Sequence, residues 1–289
     1  MIKDFIVVTK FVLSFAISLS ALFAYIMAKG EIGTDMFIST FAVLLVAMGV
    51  STLNQVQEYK EDALMERTKH RPIASGKMTR TTGIIISALL VIISLFLIHN
   101  LLGMTGVNLF LFSFVWYNLV YTPLKKKSAL AVVPGAILGV IPPAVGWLTA
   151  GHALDEQEFF ALGLYYFVWQ IPHYWLLVML HYGGYKDAGY PTVMRLFGQD
   201  SLQRLTFVWL ILTMFTGVFL VDIFNPQSTF TYVLLVINVI FAFLSSLKLL
   251  QESFELTDAR SVFWKINLAF LGTIILISID EVIQFNTLS

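Results

Sequence analysis

The sequence predicts an all-α integral membrane protein, a polytopic bundle of nine transmembrane helices in one domain over residues 1–289. Three observations support this: the composition, the apolar stretches and the placement of charge. Hydrophobic residues make up 58% of the chain and charged residues 12%, whereas soluble domains carry about 25% charged residues. This composition excludes a disordered chain and an ordinary soluble enzyme. The absence of cysteine excludes a disulfide scaffold and a thiol nucleophile, and the net charge of zero argues against a nucleic-acid partner.

Each predicted span is a mainly apolar stretch near the length of about 20 residues that a helix needs to cross a bilayer. The first stretch lacks the basic start and the small-residue cleavage site of a secretory signal, so it counts as a span. The third and fourth spans are split only near His99 and Asn100. The nine predicted spans are residues 5–28, 36–54, 82–99, 103–121, 129–150, 158–180, 204–222, 229–248 and 263–280.

The basic residues predict the orientation of these spans. With the N-terminus in the cytoplasm, every Lys and Arg except Lys29 falls in a cytoplasmic segment, as membrane proteins prefer. The loop between spans five and six carries three acidic residues and no basic one. We therefore expect a cytoplasmic N-terminus and an external C-terminus. A bacterial cell (inner) membrane is the expected location, because the sequence starts without a transit-peptide pattern.

The first polar segment that needs an explanation follows span two. Asn54, Glu58 and Asp62 are spaced at i, i+4 and i+8, which places them on one face of a helix. Such a row of oxygen atoms suits Mg²⁺, which commonly shares its coordination with substrate phosphates. Arg67 and Arg71 follow and could bind phosphate oxygens. The alternative interpretation is a charged helix end that merely obeys the inside-positive rule.

Two further segments carry polar or helix-breaking residues inside apolar spans. Gln170 and His173 lie three residues apart in span six, on either side of Pro172. They indicate either a substrate contact or a structural hydrogen bond between helices. The Pro142–Pro143 pair in span five predicts a broken helix. The run of lysines at 125–127 is compatible with a topological anchor alone.

These segments together resemble the UbiA superfamily of intramembrane prenyltransferases, and within it the haem O synthase branch. The resemblance covers about residues 50–195 and keeps the order of motifs in that family. The matching stretches are Asn54-x-x-x-Glu58-x-x-x-Asp62, Met65-x-Arg67-Thr68-x-x-Arg71-Pro72, Tyr121-Thr-x-Leu-Lys-Lys, Pro142-Pro143-x-x-Gly146-Trp147, Trp169-Gln170-x-Pro172-His173 and Ala188-Gly189-x-Pro191.

The resemblance implies farnesyl transfer from farnesyl diphosphate to a vinyl group of haem B, with Mg²⁺ as cofactor and haem O as product. It assigns metal binding to Asn54, Glu58 and Asp62, and diphosphate binding to Arg67, Arg71 and Lys125 or Lys126. Gln170 and His173 would face the haem or the prenyl tunnel. The remaining residues expected to bind substrate are Thr68, Tyr121, Tyr182, Tyr185 and Lys186.

The sequence departs from the family at two points. Glu58 replaces an aspartate, and Gly183–Gly184 stand where the family has a Lys-Asp pair. We therefore offer Asp187 as a substitute metal ligand, because it is the only acid in this loop before Asp200. Two alternatives stay open. One is a UbiA-type enzyme with another acceptor, such as a quinone precursor or a chlorophyll-like tetrapyrrole. The other is a non-catalytic descendant that handles haem or assists assembly of a haem-copper oxidase.

Overall fold

The computed structural model describes residues 2–288, which form helices and turns with no β-strand among them. This confirms the all-α prediction. A π-helical turn covers Trp116–Tyr121, and 3₁₀ turns cover Ile137–Gly139 and Leu247–Leu250. The α-helices are α1 (Ile2–Val8), α2 (Phe11–Lys29), α3 (Thr34–Gln57), α4 (Tyr59–Leu64), α5 (Arg80–Val115), α6 (Thr122–Lys125), α7 (Val132–Ala136), α8 (Ile141–Thr149), α9 (Gln157–Leu180), α10 (Tyr182–Asp187), α11 (Val193–Phe197), α12 (Gln199–Phe224), α13 (Thr229–Ser246) and α14 (Asp258–Leu288).

Seven helical stretches in the described chain are long and apolar enough to cross a membrane. One of them, Arg80–Lys125, has 46 residues and a length of about 70 Å at 1.5 Å per residue, enough for two crossings of a core about 30 Å thick. Its backbone leaves helical geometry at Gly103, with φ 55° and ψ −142°, between predicted spans three and four. The 24-residue α9 is not among the seven, and its Tyr and Trp residues lower its mean hydropathy. The count of nine spans stays a prediction.

The first predicted span is interrupted. A continuous helix was expected over residues 5–28, but α1 ends at Val8 and α2 begins at Phe11. Lys10, between them, adopts the left-handed conformation with φ 48° and ψ 44°, which residues other than glycine rarely adopt. The turn changes the direction of the chain and carries Lys10 toward the end of α3.

The polar segment after α3 is also interrupted, where the sequence predicted no break before Pro72. Glu58 has φ −109° and ψ 15°, outside the α-helical region, and separates α3 from α4. Backbone hydrogen bonds still join Glu58 N–H to the Asn54 carbonyl (3.0 Å) and Asp62 N–H to the Glu58 carbonyl (2.8 Å). These bonds preserve the i, i+4 relation, so the polar row survives the break.

Span five is a broken helix, as the proline pair predicted. The 3₁₀ turn Ile137–Gly139 separates α7 from α8, and Pro142 lies in the first turn of α8, where a missing backbone N–H costs nothing. Gly146 on α8 faces the Ala21 carbonyl of α2, and a Cβ at this position would collide with that oxygen. The glycine therefore allows the close packing of these two helices.

The long helices pack as neighbours around the molecule. The α3 helix packs on α2, α5 and α8, α9 on α12 and α14, and α14 on α13 and α2. Buried apolar side chains such as Trp147, Phe110 and Met179 fill the space between them, while many large apolar side chains on α5, α12 and α13 are exposed, as a lipid-facing surface requires. At the end of the bundle where α3 and α9 terminate, the helices leave a cavity.

Candidate active site

The cavity has a volume of about 260 Å³. It is built where the breaks at Lys10 and Glu58 meet the π-helical turn and the C-terminal half of α9. Charged and tyrosine side chains dominate its wall. The lining residues are Lys10, Leu13, Asn54, Glu58, Asp62, Met65, Arg67, Arg71, Tyr117, Tyr121, Lys125, Ala129, Tyr174, Val178, Tyr185, Tyr190, Pro191, Thr192 and Val193.

The polar row forms the floor of this cavity. Asn54, Glu58 and Asp62 are all buried, with 1%, 4% and 2% of their surface exposed. The Asn54 amide donates to Glu58 Oε2 at 2.9 Å and to the Thr122 hydroxyl at 3.2 Å. Buried carboxylates are costly unless they are paired, so both acids need partners from other parts of the chain.

Those partners are cations from separate segments. Lys125 Nζ donates to Glu58 Oε2 at 2.8 Å. Arg71 Nη1 donates to both carboxylate oxygens of Asp62 at 2.8 Å. Lys10 Nζ donates to Asn54 Oδ1 at 3.0 Å. The structure thus joins the two predicted arginine and lysine partners to the predicted acids and adds a lysine that sequence reasoning did not select.

The electrostatics of the floor follow from these contacts. Burial by itself raises the pKa of Glu58, but Lys125, Lys10 and the Tyr190 hydroxyl outweigh it, and the pKa lies below its ordinary value. Burial, followed by the charges of Arg71 and Lys125, lowers the pKa of Lys10 to about 7. Glu58 is therefore held ionised at neutral pH, whereas burial and the neighbouring cations disfavour the protonated form of Lys10.

Tyr190 was also missed by sequence reasoning. Its hydroxyl donates to Glu58 Oε1 at 2.9 Å, so both carboxylate oxygens of Glu58 are occupied. Burial, and then the charge of Glu58, raise the pKa of Tyr190, which keeps it a donor. The sequence signal near Tyr190 was the pair of turn-forming residues on either side of it, Gly189 and Pro191. In the structure Gly189 has φ 74°, and the turn fixes the segment beside the cavity.

Three other predicted residues, Arg67, Tyr121 and Tyr185, lie at the wall. Arg67 is exposed at the rim, and no ion pair holds it among residues 2–288. Tyr121 has Lys125 Nζ 5.4 Å from its ring centroid, a cation–π distance. Tyr185 lines the wall with Tyr117 and Tyr174, which the sequence did not single out. These side chains present donors and aromatic faces to any occupant.

Several predicted residues do not reach the cavity. Thr68 is buried, but its hydroxyl donates to the Asp62 carbonyl at 2.9 Å, so it supports the backbone. Lys126 pairs instead with Glu61 at 2.6 Å, because successive helical residues point in different directions. Tyr182 packs against the apolar core beside α9. Lys186 is exposed on α10.

Gln170 and His173 also lie apart from the acidic floor. The Gln170 amide packs against Gly139. His173 Nδ1 lies 2.8 Å from Asn267 Oδ1, and its ring packs against Trp169 and Phe263, with centroids 4.6 and 4.8 Å away. The predicted pair therefore contacts different neighbours, and for His173 the observed contact is the hydrogen bond between helices.

The second acidic motif has no acid at the cavity. Asp187 is exposed at the end of α10 and does not line the wall, so the structure gives no support to it as a substitute ligand. A Cβ on Gly184 would lie 3.7 Å from the Met65 side chain, an ordinary contact with a residue of the lining. Space for a carboxylate exists there, but the chain places none.

The donor set fits one kind of metal site. Within the described chain, no group of three or more His, Cys, Asp or Glu side chains is placed to hold a metal ion. Two carboxylates and one amide oxygen suit Mg²⁺ that is bound jointly with substrate phosphates. The site therefore fits Mg²⁺ that is shared with a substrate phosphate, with Asn54, Glu58 and Asp62 as the protein ligands.

Comparison with known proteins gives one family. The sequence model of the UbiA prenyltransferase family matches residues 14–271. The chain is 38% identical over 175 residues to the protoheme IX farnesyltransferase of Oleidesulfovibrio alaskensis, covering 61% of this chain and 62% of that relative. The chain thus spans about three fifths of the length of that relative and 57% of the length of the protoheme IX farnesyltransferase of Geobacter sulfurreducens.

Solved structures give the same fold. A digeranylgeranylglyceryl phosphate synthase superposes with a TM-score of 0.77 at 16% identity, covering 97% of this chain and 98% of that one. A UbiA homologue from Archaeoglobus fulgidus bound to GPP and Mg²⁺ superposes with a TM-score of 0.66 at 11% identity, covering 95% of this chain and 99% of that one. At such identities the similarity concerns the fold.

Proposed function

We propose, because this chain belongs to the UbiA prenyltransferase family, that it transfers a farnesyl group from farnesyl diphosphate to a vinyl group of haem B and forms haem O. The observation that carries the proposal is the buried row of Asn54, Glu58 and Asp62 facing Arg71 and Lys125 in one cavity. The acceptor and the prenyl chain come from the relatives that are named protoheme IX farnesyltransferase. This chemistry needs a site that stabilises a leaving diphosphate and excludes water.

The proposed reaction begins with loss of diphosphate. The C1–O bond of the donor breaks, its electron pair leaves on the diphosphate, and an allylic cation forms at C1. Arg67, Arg71 and Lys125 take the charge of the leaving group through charge-assisted hydrogen bonds. Tyrosine faces at 117, 121 and 174 lie where they can stabilise a cation through their π-electrons.

The second half of the reaction joins carbon to carbon. The π-electrons of a haem vinyl group attack C1, and the cation left beside the porphyrin takes up water and loses a proton, which gives a hydroxyethylfarnesyl side chain. Bound Mg²⁺ would neutralise diphosphate charge during departure. The metal would be held by Asn54, Glu58 and Asp62. Their oxygens would become available once Lys125 and Arg71 bind the diphosphate oxygens of the substrate.

The proposed membrane placement follows the basic residues. The cavity lies at the end of the bundle that carries Lys10, Arg71 and Lys125, and the positive-inside rule assigns this end to the cytoplasm. The helices form one domain across residues 1–289 in this proposal. The bacterial relative favours a bacterial cell membrane, with the N-terminus inside and the C-terminus outside.

One observation favours a second candidate, the non-catalytic descendant. Gly183 and Gly184 carry no acid, and Asp187 lies away from the cavity, so only one acidic motif is available. In that case the chain would bind haem or assist a haem-copper oxidase without making haem O. A transferase with another acceptor, such as a quinone precursor, is the remaining outcome of the test below.

The test is conversion in purified material. The full chain in nanodiscs is supplied with farnesyl diphosphate, haem B and Mg²⁺, and haem O and released diphosphate are measured by mass spectrometry and a coupled assay. We expect haem O in equal amount to diphosphate, abolished by EDTA. Lys125→Met should reduce the rate at least tenfold, whereas Lys127→Met, an exposed lysine outside the cavity, should not. Diphosphate release only with a quinone precursor would indicate the other acceptor, and no release with either would contradict transferase activity.

A further inference from the structure

The turn between α1 and α2 places a buried lysine in the cavity. Lys10 lies 44 residues before Asn54, yet its ammonium nitrogen is 3.0 Å from Asn54 Oδ1. A continuous first helix would carry this side chain in a different direction. The left-handed backbone at Lys10, with φ 48°, is the feature that turns it inward. Strained residues of this kind persist only where the surroundings hold them, and they concentrate at functional sites.

The surroundings here hold the turn firmly. The Gln55 amide donates to the carbonyls of Val7 and Val8 at 2.9 and 3.0 Å, which satisfies the C-terminal end of α1. The Thr9 hydroxyl donates to the Phe5 carbonyl at 2.8 Å. Ser14 on α2 donates to the Thr9 carbonyl at 3.1 Å. Side chains of α2 and α3 therefore fix the backbone immediately before Lys10.

The cations around Lys10 outnumber the anions. Four cationic side chains and two carboxylates line the cavity, which leaves an excess of two positive charges. Glu58 and Asp62 are already paired with Lys125 and Arg71, and in the described chain Lys10 bonds only the neutral amide of Asn54. Lys10 shares the charge of Glu58 and Asp62 with Lys125 and Arg71, and buried cations are costly where anions are too few, so the cavity is suited to receive an anion at this point.

We propose that Lys10 is a diphosphate-binding residue: when the prenyl donor enters, the Lys10 ammonium leaves Asn54 Oδ1 and binds a diphosphate oxygen. This inference rests on the proposed function, since it assumes that the cavity receives a prenyl diphosphate. It adds a cation from the first helices to those that follow α3 and α5. Release of the Asn54 amide oxygen would make it available as a ligand at the same time.

The test is binding without turnover. Dissociation constants for inorganic diphosphate and for the unreactive farnesyl thiodiphosphate are measured by titration calorimetry on the full chain in nanodiscs. Lys10→Gln keeps a donor for Asn54 but removes the charge, and Lys10→Arg keeps the charge. Lys127→Met removes an exposed lysine and serves as the matched control.

We expect Lys10→Gln to weaken both ligands about tenfold or more, because a charge-assisted hydrogen bond is lost. Lys10→Arg should restore binding to within about threefold, and Lys127→Met should bind as the unmodified chain does. Haem B titration in the Soret band should be the same for all four proteins. If Lys10→Gln and the unmodified chain bind diphosphate with equal affinity, the inference about Lys10 is overturned and the proposed function is unaffected.

The remaining outcomes separate this inference from the proposed function. Diphosphate binding that depends on Lys10, in a chain that makes no haem O, would support the inference and contradict only the proposed reaction. If the unmodified chain binds neither ligand, both fall. If Lys10→Gln fails to fold, Lys10→Arg decides: normal diphosphate affinity supports the role of charge, and affinity lost in a folded protein overturns it.

Discussion

The ion pair of Asp62 and Arg71 allows a quantitative prediction. Asp62 is 2% exposed, and both its oxygens lie 2.8 Å from Arg71 Nη1. Removal of one partner from a buried pair costs about 3–5 kcal/mol, because it leaves an uncompensated charge. Since 18% of the Arg71 side chain is exposed, water can reach the pair and we expect the low end. Arg71→Met should therefore lower the free energy of unfolding by about 3 kcal/mol, roughly a hundredfold in the equilibrium constant.

A double-mutant cycle isolates the pair from other effects of the substitution. Asp62→Asn with Arg71→Met removes both charges, so the double variant should be more stable than Arg71→Met alone, with a coupling of at least about 1.5 kcal/mol. Unfolding in mixed detergent micelles, followed by tryptophan fluorescence, supplies the four free energies. Additive effects, or an Arg71→Met variant as stable as the unmodified chain, would refute the argument that Arg71 compensates a buried Asp62.

Three more predictions concern the rest of the site. Tyr190→Phe should lower the unfolding free energy by about 1–2 kcal/mol in the same assay, because the charged Glu58 carboxylate loses the hydrogen bond that the Tyr190 hydroxyl donates to it. An unchanged free energy would show that water replaces the hydroxyl. Gly184→Asp should increase haem O formation at limiting Mg²⁺ by about threefold or more, since its Cβ has room beside Met65 and a third carboxylate strengthens a Mg²⁺ site; an unchanged or lower rate, with the variant folded, would count against a site limited by its second motif. Asp187→Asn should leave the rate of prenyl transfer within about twofold, because Asp187 is exposed and outside the cavity lining, and a tenfold loss would restore it as a candidate ligand.

Much of the fold was predictable because the requirements of a membrane span are local. A stretch of about 20 apolar residues predicts a membrane-spanning helix wherever it lies in the chain. The proline pair predicted the interruption before α8. The breaks at Lys10 and Glu58 were not predictable in the same way. No proline or glycine marks either position, and contacts from distant residues, such as Gln55 to the end of α1, hold the turn at Lys10.

The sequence by itself determined the all-helical membrane class and the polar row of Asn54, Glu58 and Asp62, because a spacing of four residues is enough to align side chains on a helix. Only the tertiary structure decided which cations meet that row. Among neighbours in sequence, Lys125 reaches Glu58 while Lys126 turns to Glu61. Lys10 and Tyr190, 44 residues before Asn54 and 132 residues after Glu58, both arrive at the same cavity. The approach of these side chains to one cavity depends on helix breaks and on packing between distant segments. Neither can be predicted from residue spacing along the chain.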